Sequence, residues 1–279
     1  MIKRKVILDC DTKNEIDDQF AIVHALRSPQ LELLGVVSVQ NHGAHGDASV
    51  DIYHAEARRV LRLADSTVPA FKGSRFALDT TQQPVKSTGV DFIIESARRL
   101  GKELSIVGTG PATNLAAACM LEPKIMKCPQ IIWIGGFRDN KEMRAVKGAE
   151  CNFVNDRSAV ATLCATDIDL TLVPAMGVTD RMIIQVRYLS EQLKARGTPL
   201  TRYLARLLDS VPDRHRIFWD TAAVAVAEGL GVDRVVRKPA CVVKDNMLTY
   251  PQQSSRTIKV VDSIDEFEIL AETRKRLLS

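Results

Sequence analysis

Short apolar runs alternate along the chain with longer segments in which apolar residues recur every three or four positions. The runs at 5–10, 31–39, 104–107, 131–134 and 170–173 predict strands, and the segments at 17–27, 50–63, 89–100, 113–121 and 157–165 predict helices. Strand–helix alternation of this kind builds βαβ units. It predicts an α/β fold with a mainly parallel, Rossmann-like open sheet flanked by helices.

The later third differs. Residues 186–208 predict helix with a break near Gly197 and Pro199, and 218–228 predict another helix. Apolar positions 242–243 and 247–250 flank Asp245 and Asn246, which predicts a small hairpin. Residues 257–261 predict a further strand. Ser263 and Glu266 have the spacing of a capping box for a last helix ending near Leu278. No repeat, low-complexity tract or linker interrupts the pattern. The expectation is a single domain over residues 1–279, with extra helices and the hairpin near its C-terminus. Residues 229–279 carry no evident chemistry and are expected to complete the fold or an interface.

Composition narrows the class. With 46% hydrophobic and 26% charged residues, the chain reads as an ordinary globular protein able to bury a sizeable core. A net charge of +4, from 38 basic and 34 acidic residues, is too balanced to suggest nucleic-acid binding. No apolar run is long enough to span a membrane, and MIKRKVILDC reads as a first strand rather than a signal peptide. The six cysteines, at 10, 119, 128, 151, 164 and 241, form no CxxC pair and no zinc spacing with histidine. They are expected to be buried free thiols of a reducing, cytoplasmic compartment.

Open parallel sheets bind ligands beyond the carboxyl ends of their strands. Polar and glycine-rich clusters fall at those places here. Asp9, Asp11, Asp17 and Asp18 follow the first strand, and Gln40, Asn41 and His42 follow the second. Gly108, Thr109 and Gly110 follow the third helix-flanked run, and Gly135, Gly136, Glu150 and Asn152 lie beyond 131–134. The first cluster is the densest, with Glu15 as its fifth acid. Like charges this close repel and raise one another's pKa. A helix N-terminus at Asp17 and Asp18 relieves some of that, and a hard divalent cation, calcium or magnesium, would relieve more. Cys10 lies inside the cluster, but strand alternation turns it away from Asp9 and Asp11.

Four segments, in order, resemble the nucleoside hydrolase family. D9-C-D11-T-K-N-E-I-D17-D18 is similar to the family's strand-end D-x-D and D-D pattern, with a longer loop. V107-G-T109-G-P-A-T-N114 is similar to its T-G-x-x-T-N segment. E150-C-N152 is similar to its E-x-N segment, and W219-D220 to its late aspartate. The resemblance runs from residue 5 to about residue 228. It implies a calcium-dependent hydrolysis of the N-glycosidic bond of ribonucleosides, giving free base and ribose. By that resemblance Asp11 would act as general base on a calcium-bound water. Asp11, Asp18, Asp220 and the Thr109 carbonyl would ligate Ca2+. Asp17, Asn41, Glu150, Asn152 and Asp220 would contact the ribose, and Asp9 would support the loop. The substrate partner would be a small nucleoside, and a homodimer or homotetramer is expected. The chemistry is coherent in itself, because carboxylates stabilise the positive charge that develops on a ribose losing its base.

The chain departs from the family pattern at several points. Trp219 stands where many members carry a histidine acid; an indole there can stack on the base and implies a lean toward purine nucleosides. Asn41 or His42 could fill the ribose-contacting place after the second strand, and Asn41 is favoured. His42 and His45 could form a loop cluster able to give a proton. His215 would share a face with Trp219 if the helix extended that far, as a spare acid. The loop at 74–87 lacks the family's His-Gly motif and looks shorter. Asn140 is a candidate for the family's further asparagine. Arg138 and Arg144 leave an anionic substrate open.

Two competing readings remain at this level. One is a calcium- and ribosyl-binding member without turnover. The other is a magnesium-dependent haloacid-dehalogenase-like phosphatase, with Asp9 as nucleophile and Asp11 as acid. Lys13 and the adjacent Asp17 and Asp18 do not fit that second pattern.

Overall fold

A computed structural model describes residues 2–279. Its centre is an eight-stranded sheet. Strands β1 (Arg4–Cys10), β2 (Leu31–Ser38), β3 (Ala70–Lys72), β4 (Leu104–Gly108), β5 (Gln130–Ile134) and β6 (Asp169–Val173) lie in the spatial order β3-β2-β1-β4-β5-β6. Every neighbouring pair among them is parallel. The strand Thr257–Ile264 joins β6 in parallel, and Val232–Pro239 closes that edge antiparallel to it. The mainly parallel open sheet expected from the sequence is therefore present, with the hairpin Val242–Lys244 and Met247–Thr249 beside it. Residues 229–279 supply its last two strands and its last helix.

The cause is visible in β1, whose last five residues are all buried, with helices packed on both faces of the sheet. One face packs Val6, Leu8 and Cys10 against the helix α1 (Asp17–Leu26) and the helices Ser49–Leu63 and Trp219–Glu228. The other packs Ile7 and Ile106 against Thr88–Leu100, Thr113–Leu121 and Arg157–Ala165. Cys10 points to the first of these cores, as alternation requires, with its thiol 3.1 Å from Thr12 Oγ1. Among the described residues, no helix is long and apolar enough to cross a membrane.

Where local chemistry is strong, the predicted boundaries hold. The 186–208 segment is two helices, Val186–Arg196 and Pro199–Asp209. Gly197, at φ +73°, ends the first, and Thr198 caps the second with Pro199 at its start. Asp245 and Asn246 both adopt positive φ in the hairpin turn.

Three features differ from expectation. The last helix, Glu266–Leu278, is capped by Asp265, whose side chain accepts from Glu268 N; Ser263 lies in the preceding strand. His215 is exposed on a short strand, His215–Ile217, paired with Ile183–Gln185, so it shares no helix face with Trp219. Cys128 and Cys151 are exposed, and only the other four cysteines are buried.

Candidate active site

The strand order reverses direction between β1 and β4. Loops leaving the carboxyl ends of those two strands diverge there and open a crevice. The crevice is lined by Asp11, Asn14, Glu15, Asp17 and Asp18 from the β1 side and Thr109 from the β4 side. Ile134, Glu150, Cys151 and Asn152 come from beyond β5, Met176 from beyond β6, and Trp219 and Asp220 from a helix start. Six of these residues are acids, and none is lysine, arginine or histidine.

Each acid is placed by main chain or by a dedicated partner. Asp11 is buried and receives a 2.6 Å hydrogen bond from Asn41 Nδ2. Its loop can approach β4 closely because residue 110 is glycine: a Cβ there would stand 2.6 Å from Val39 Cγ1 and 3.1 Å from Asp11 Cβ. Asp17 and Asp18 form the first turn of α1, where the helix dipole favours negative charge. Thr109 Oγ1 donates to Asp18 Oδ1 at 2.8 Å. Asp220 opens the facing helix, and its N–H donates to Asp17 Oδ2 at 3.2 Å, tying the two helix starts together.

Glu150 and Asn152 come as a unit. Glu150 caps the short helix Cys151–Val154, accepting from Asn152 N and Phe153 N, and it also accepts from Gly136 N at 2.7 Å. Gly136 meets it in a left-handed conformation, φ +63°. Asn152 spends both amide hydrogens on the carbonyls of Thr109 and Ile134, at 2.9 and 3.0 Å, and keeps its oxygen as an acceptor. Asp9 lies outside the cleft. Its Oδ1 accepts from Asn114 Nδ2 at 2.7 Å and its carbonyl from Thr109 N, which joins β1 to β4 beneath the site.

Burial pushes the carboxyls up, and mutual repulsion adds to it. Asp11 stands at about 6, Asp17 and Asp9 at about 7 and Glu150 at about 6. Asp18 and Asp220 are raised well above the usual carboxylate range, by burial first and then by neighbouring aspartates. Asp18 lies close enough to Asp11 and Asp220 for their charges to repel. Among the described residues, no three acid, His or Cys side chains are already drawn into a closed metal cage. The donor set nonetheless fits a hard divalent cation: carboxylate and carbonyl oxygens, buried, with no counter-charge lining the cleft.

The cleft gathers Asp11, Asp17, Asp18, Thr109, Glu150, Asn152, Trp219 and Asp220 from widely separated parts of the sequence. Asn41 is not on its wall and touches the site through its hydrogen bond to Asp11. His42 Nε2 pairs with the Arg75 carbonyl at 2.9 Å and His45 Nδ1 with Tyr53 Oη at 2.9 Å, so they form no joint cluster. Asn140 exchanges hydrogen bonds with the main chain of Tyr250, holding the hairpin rather than lining the cleft. Arg138 pairs with Asp139 and Glu142, and Arg144 is exposed; neither lines the cleft, which removes the support for an anionic substrate. Glu15 and Cys151 are wall residues to which no role was assigned from the sequence; membership of the acidic cluster signalled the first, and the E-x-N spacing the second.

Sheet order and cleft together define a doubly wound α/β protein with an acid-lined site at its switch point. The chain matches the family described as inosine-uridine preferring nucleoside hydrolase over residues 6–269, and it belongs to that family of N-ribosyl hydrolases. It is 26% identical over 251 residues to the "Probable uridine nucleosidase 2" of Arabidopsis thaliana, covering 80% of this chain and 74% of the other. It is 24% identical over 220 residues to the "Pyrimidine-specific ribonucleoside hydrolase RihB" of Escherichia coli (strain SE11), covering 71% and 67%. The solved "Purine-Preferring Ribonucleoside Hydrolase from Gardnerella vaginalis" superposes with a TM-score of 0.75 over 98% of both chains at 24% identity, which shows a shared fold.

Proposed function

We propose that this enzyme hydrolyses the N-glycosidic bond of ribonucleosides with calcium in the cleft, releasing free base and ribose. The observation that carries the reading is the convergence of six acids and no base on one cleft at the switch point. Asp11, Asp18, Asp220 and the Thr109 carbonyl would hold the ion. When bound, it supplies the positive charge that keeps the acids ionised and makes the attacking water more acidic.

Asp11 takes the water proton as general base, its carboxylate fixed by Asn41. Asp17, Glu150 and Asp220 accept hydrogen bonds from ribose hydroxyls, and Asn152 offers its free oxygen to the same sugar. The same ring of acids stabilises the positive charge on the ribose as the C–N bond breaks. Base preference is the finer part of the proposal. Trp219 lines the cleft, and an indole stacks on a purine over a larger area than on a pyrimidine. The sequence relatives carry uridine and pyrimidine names, so a test must include both base classes.

The test is free-ribose release from a panel of purine and pyrimidine nucleosides, with and without a calcium chelator. Chelator-sensitive release from at least one nucleoside is the expected result. Nucleoside binding without any release would replace this reading with a silent calcium and ribosyl binder.

A further inference from the structure

The loop between Asp11 and Asp17 spans residues 12–16 and carries a further acid, Glu15. That acid stands at the open end of the cleft. Asp11, Asp17, Asp18 and Asp220 are all buried on the floor. Glu15 lines the same cleft, yet its side chain is 39% exposed, which places it at the mouth.

Glu15 is held there from across the chain. Its Oε2 pairs with Arg216 Nη2, and that guanidinium is 24% exposed. Arg216 is in register with Ile184 in the small antiparallel pair. Its strand leads through Phe218, whose N–H donates to the Met182 carbonyl at 2.8 Å, directly into Trp219. The acidic loop and the segment carrying Trp219 are thus fastened twice: by Asp17 to Asp220 N below, and by Glu15 to Arg216 above.

This inference rests on the function proposed above. If the ribose hydroxyls meet the buried acids, the base projects toward the mouth of the cleft that Trp219 and Glu15 both line. An ion-paired carboxylate only accepts hydrogen bonds, and it has lone pairs beyond the one Arg216 uses. The hydrogen-bond donor that a uracil or 6-oxopurine presents on its far edge is a ring N–H.

We propose that Glu15, held in place by Arg216, is a specificity-determining residue that accepts a hydrogen bond from the ring N–H of the leaving base. Arg216 is a positioning residue that acts through Glu15. A hydrogen bond to a charged acceptor discriminates strongly, because the analogue without the donor leaves the carboxylate facing a methyl group.

The experiment compares uridine with N3-methyluridine and inosine with N1-methylinosine, using the wild-type enzyme and the Glu15→Ala, Arg216→Met and Arg216→Lys variants. Wild type should favour each unmethylated nucleoside, and Glu15→Ala should narrow that preference by about 10–100-fold in kcat/KM, mostly through KM. Arg216→Met should narrow it in the same direction, and Arg216→Lys should restore part of it. A loss shared equally by methylated and unmethylated substrates would show a merely structural role and overturn the proposal, as would no change. The same nucleosides titrated calorimetrically read the same contrast in Kd. If wild type releases no ribose but binding still depends on Glu15 in this pattern, the hydrolase reading fails and this one stands.

Discussion

Asn152 shows how far a single side chain reaches in this site. By giving both amide hydrogens to the carbonyls of Thr109 and Ile134, it fixes the loop after β4 against the end of β5 and leaves one acceptor for a ligand. Asn41 does the opposite, donating to Asp11 and leaving the cleft wall to others. Trp219 is the wall residue whose role is most open to test. Stacking on a base is worth roughly 1–3 kcal/mol. Trp219→Ala should therefore raise KM for purine nucleosides by about tenfold or more, and for pyrimidine nucleosides by clearly less. Equal increases, measured by steady-state ribose release, would remove the argument for a purine lean.

The two helices whose first turns bear Asp17, Asp18 and Asp220 are also tied at their far ends. Glu228, at the end of Trp219–Glu228, has no exposed side-chain surface and pairs at 2.5 Å with Arg276 of the last helix. His24, near the end of α1, lies 3.6 Å from the same carboxylate, and its Nδ1 is 2.9 Å from Thr273 Oγ1. Arg27 donates to the carbonyls of Arg276 and Leu277, capping the C-terminus of that last helix. Burial pushes the Glu228 carboxyl up, but His24 and Arg276 overcome this and hold it at about 2. Because the folded pKa is depressed, the stabilisation is present above the unfolded value of about 4.3 and is lost as pH falls toward about 2. Arg276→Met leaves a buried carboxylate without its partner and should cost about 3–5 kcal/mol in urea unfolding at neutral pH. A change below about 1 kcal/mol would mean that Glu228 finds another partner.

Over the whole molecule, the cleft acids link pH to stability, and on the proposed function they would link calcium to both. Without a cation, Asp11 and Asp17 hold protons more tightly in the fold than in the unfolded chain, at about 6 and about 7. The folded state therefore binds more protons, and stability from this source is present below about 4 and is lost as pH rises through about 7. A cation held by Asp11, Asp18 and Asp220 would reverse the balance, since its charge favours the ionised form of every acid beside it. The chelated protein should show a Tm that falls between pH 4 and pH 7, and saturating calcium should remove that fall. At a hundred times Kd, calcium should add about 2.7 kcal/mol near pH 8. Coincident melting curves with calcium and with chelator across this range would count against a calcium site here.

The pattern of the chain determined by itself that the sheet is mainly parallel and that acids crowd the end of its first strand. Both follow from local facts: buried strands and amphipathic helices write their periods into consecutive residues, and Asp9, Asp11, Asp17 and Asp18 are near one another in sequence. The strand-end rule also pointed to Glu150 and Asn152, the resemblance added Asp220, and the fold brings all three to the same cleft. Ala70–Lys72 was not legible, because three residues are too few to show a period. Val232–Pro239 was hidden because it packs on only one neighbour at the sheet edge and carries Asp233, Arg234, Arg237 and Lys238. The cap at Asp265 turned on where the preceding strand ended, and that was set by pairing with Val232–Pro239. Tertiary structure alone decided the spatial order of the strands, and hence the switch point between β1 and β4 where the cleft opens. It alone joined Glu15 to Arg216, since a contact between residues 201 positions apart leaves no mark on the local pattern of either.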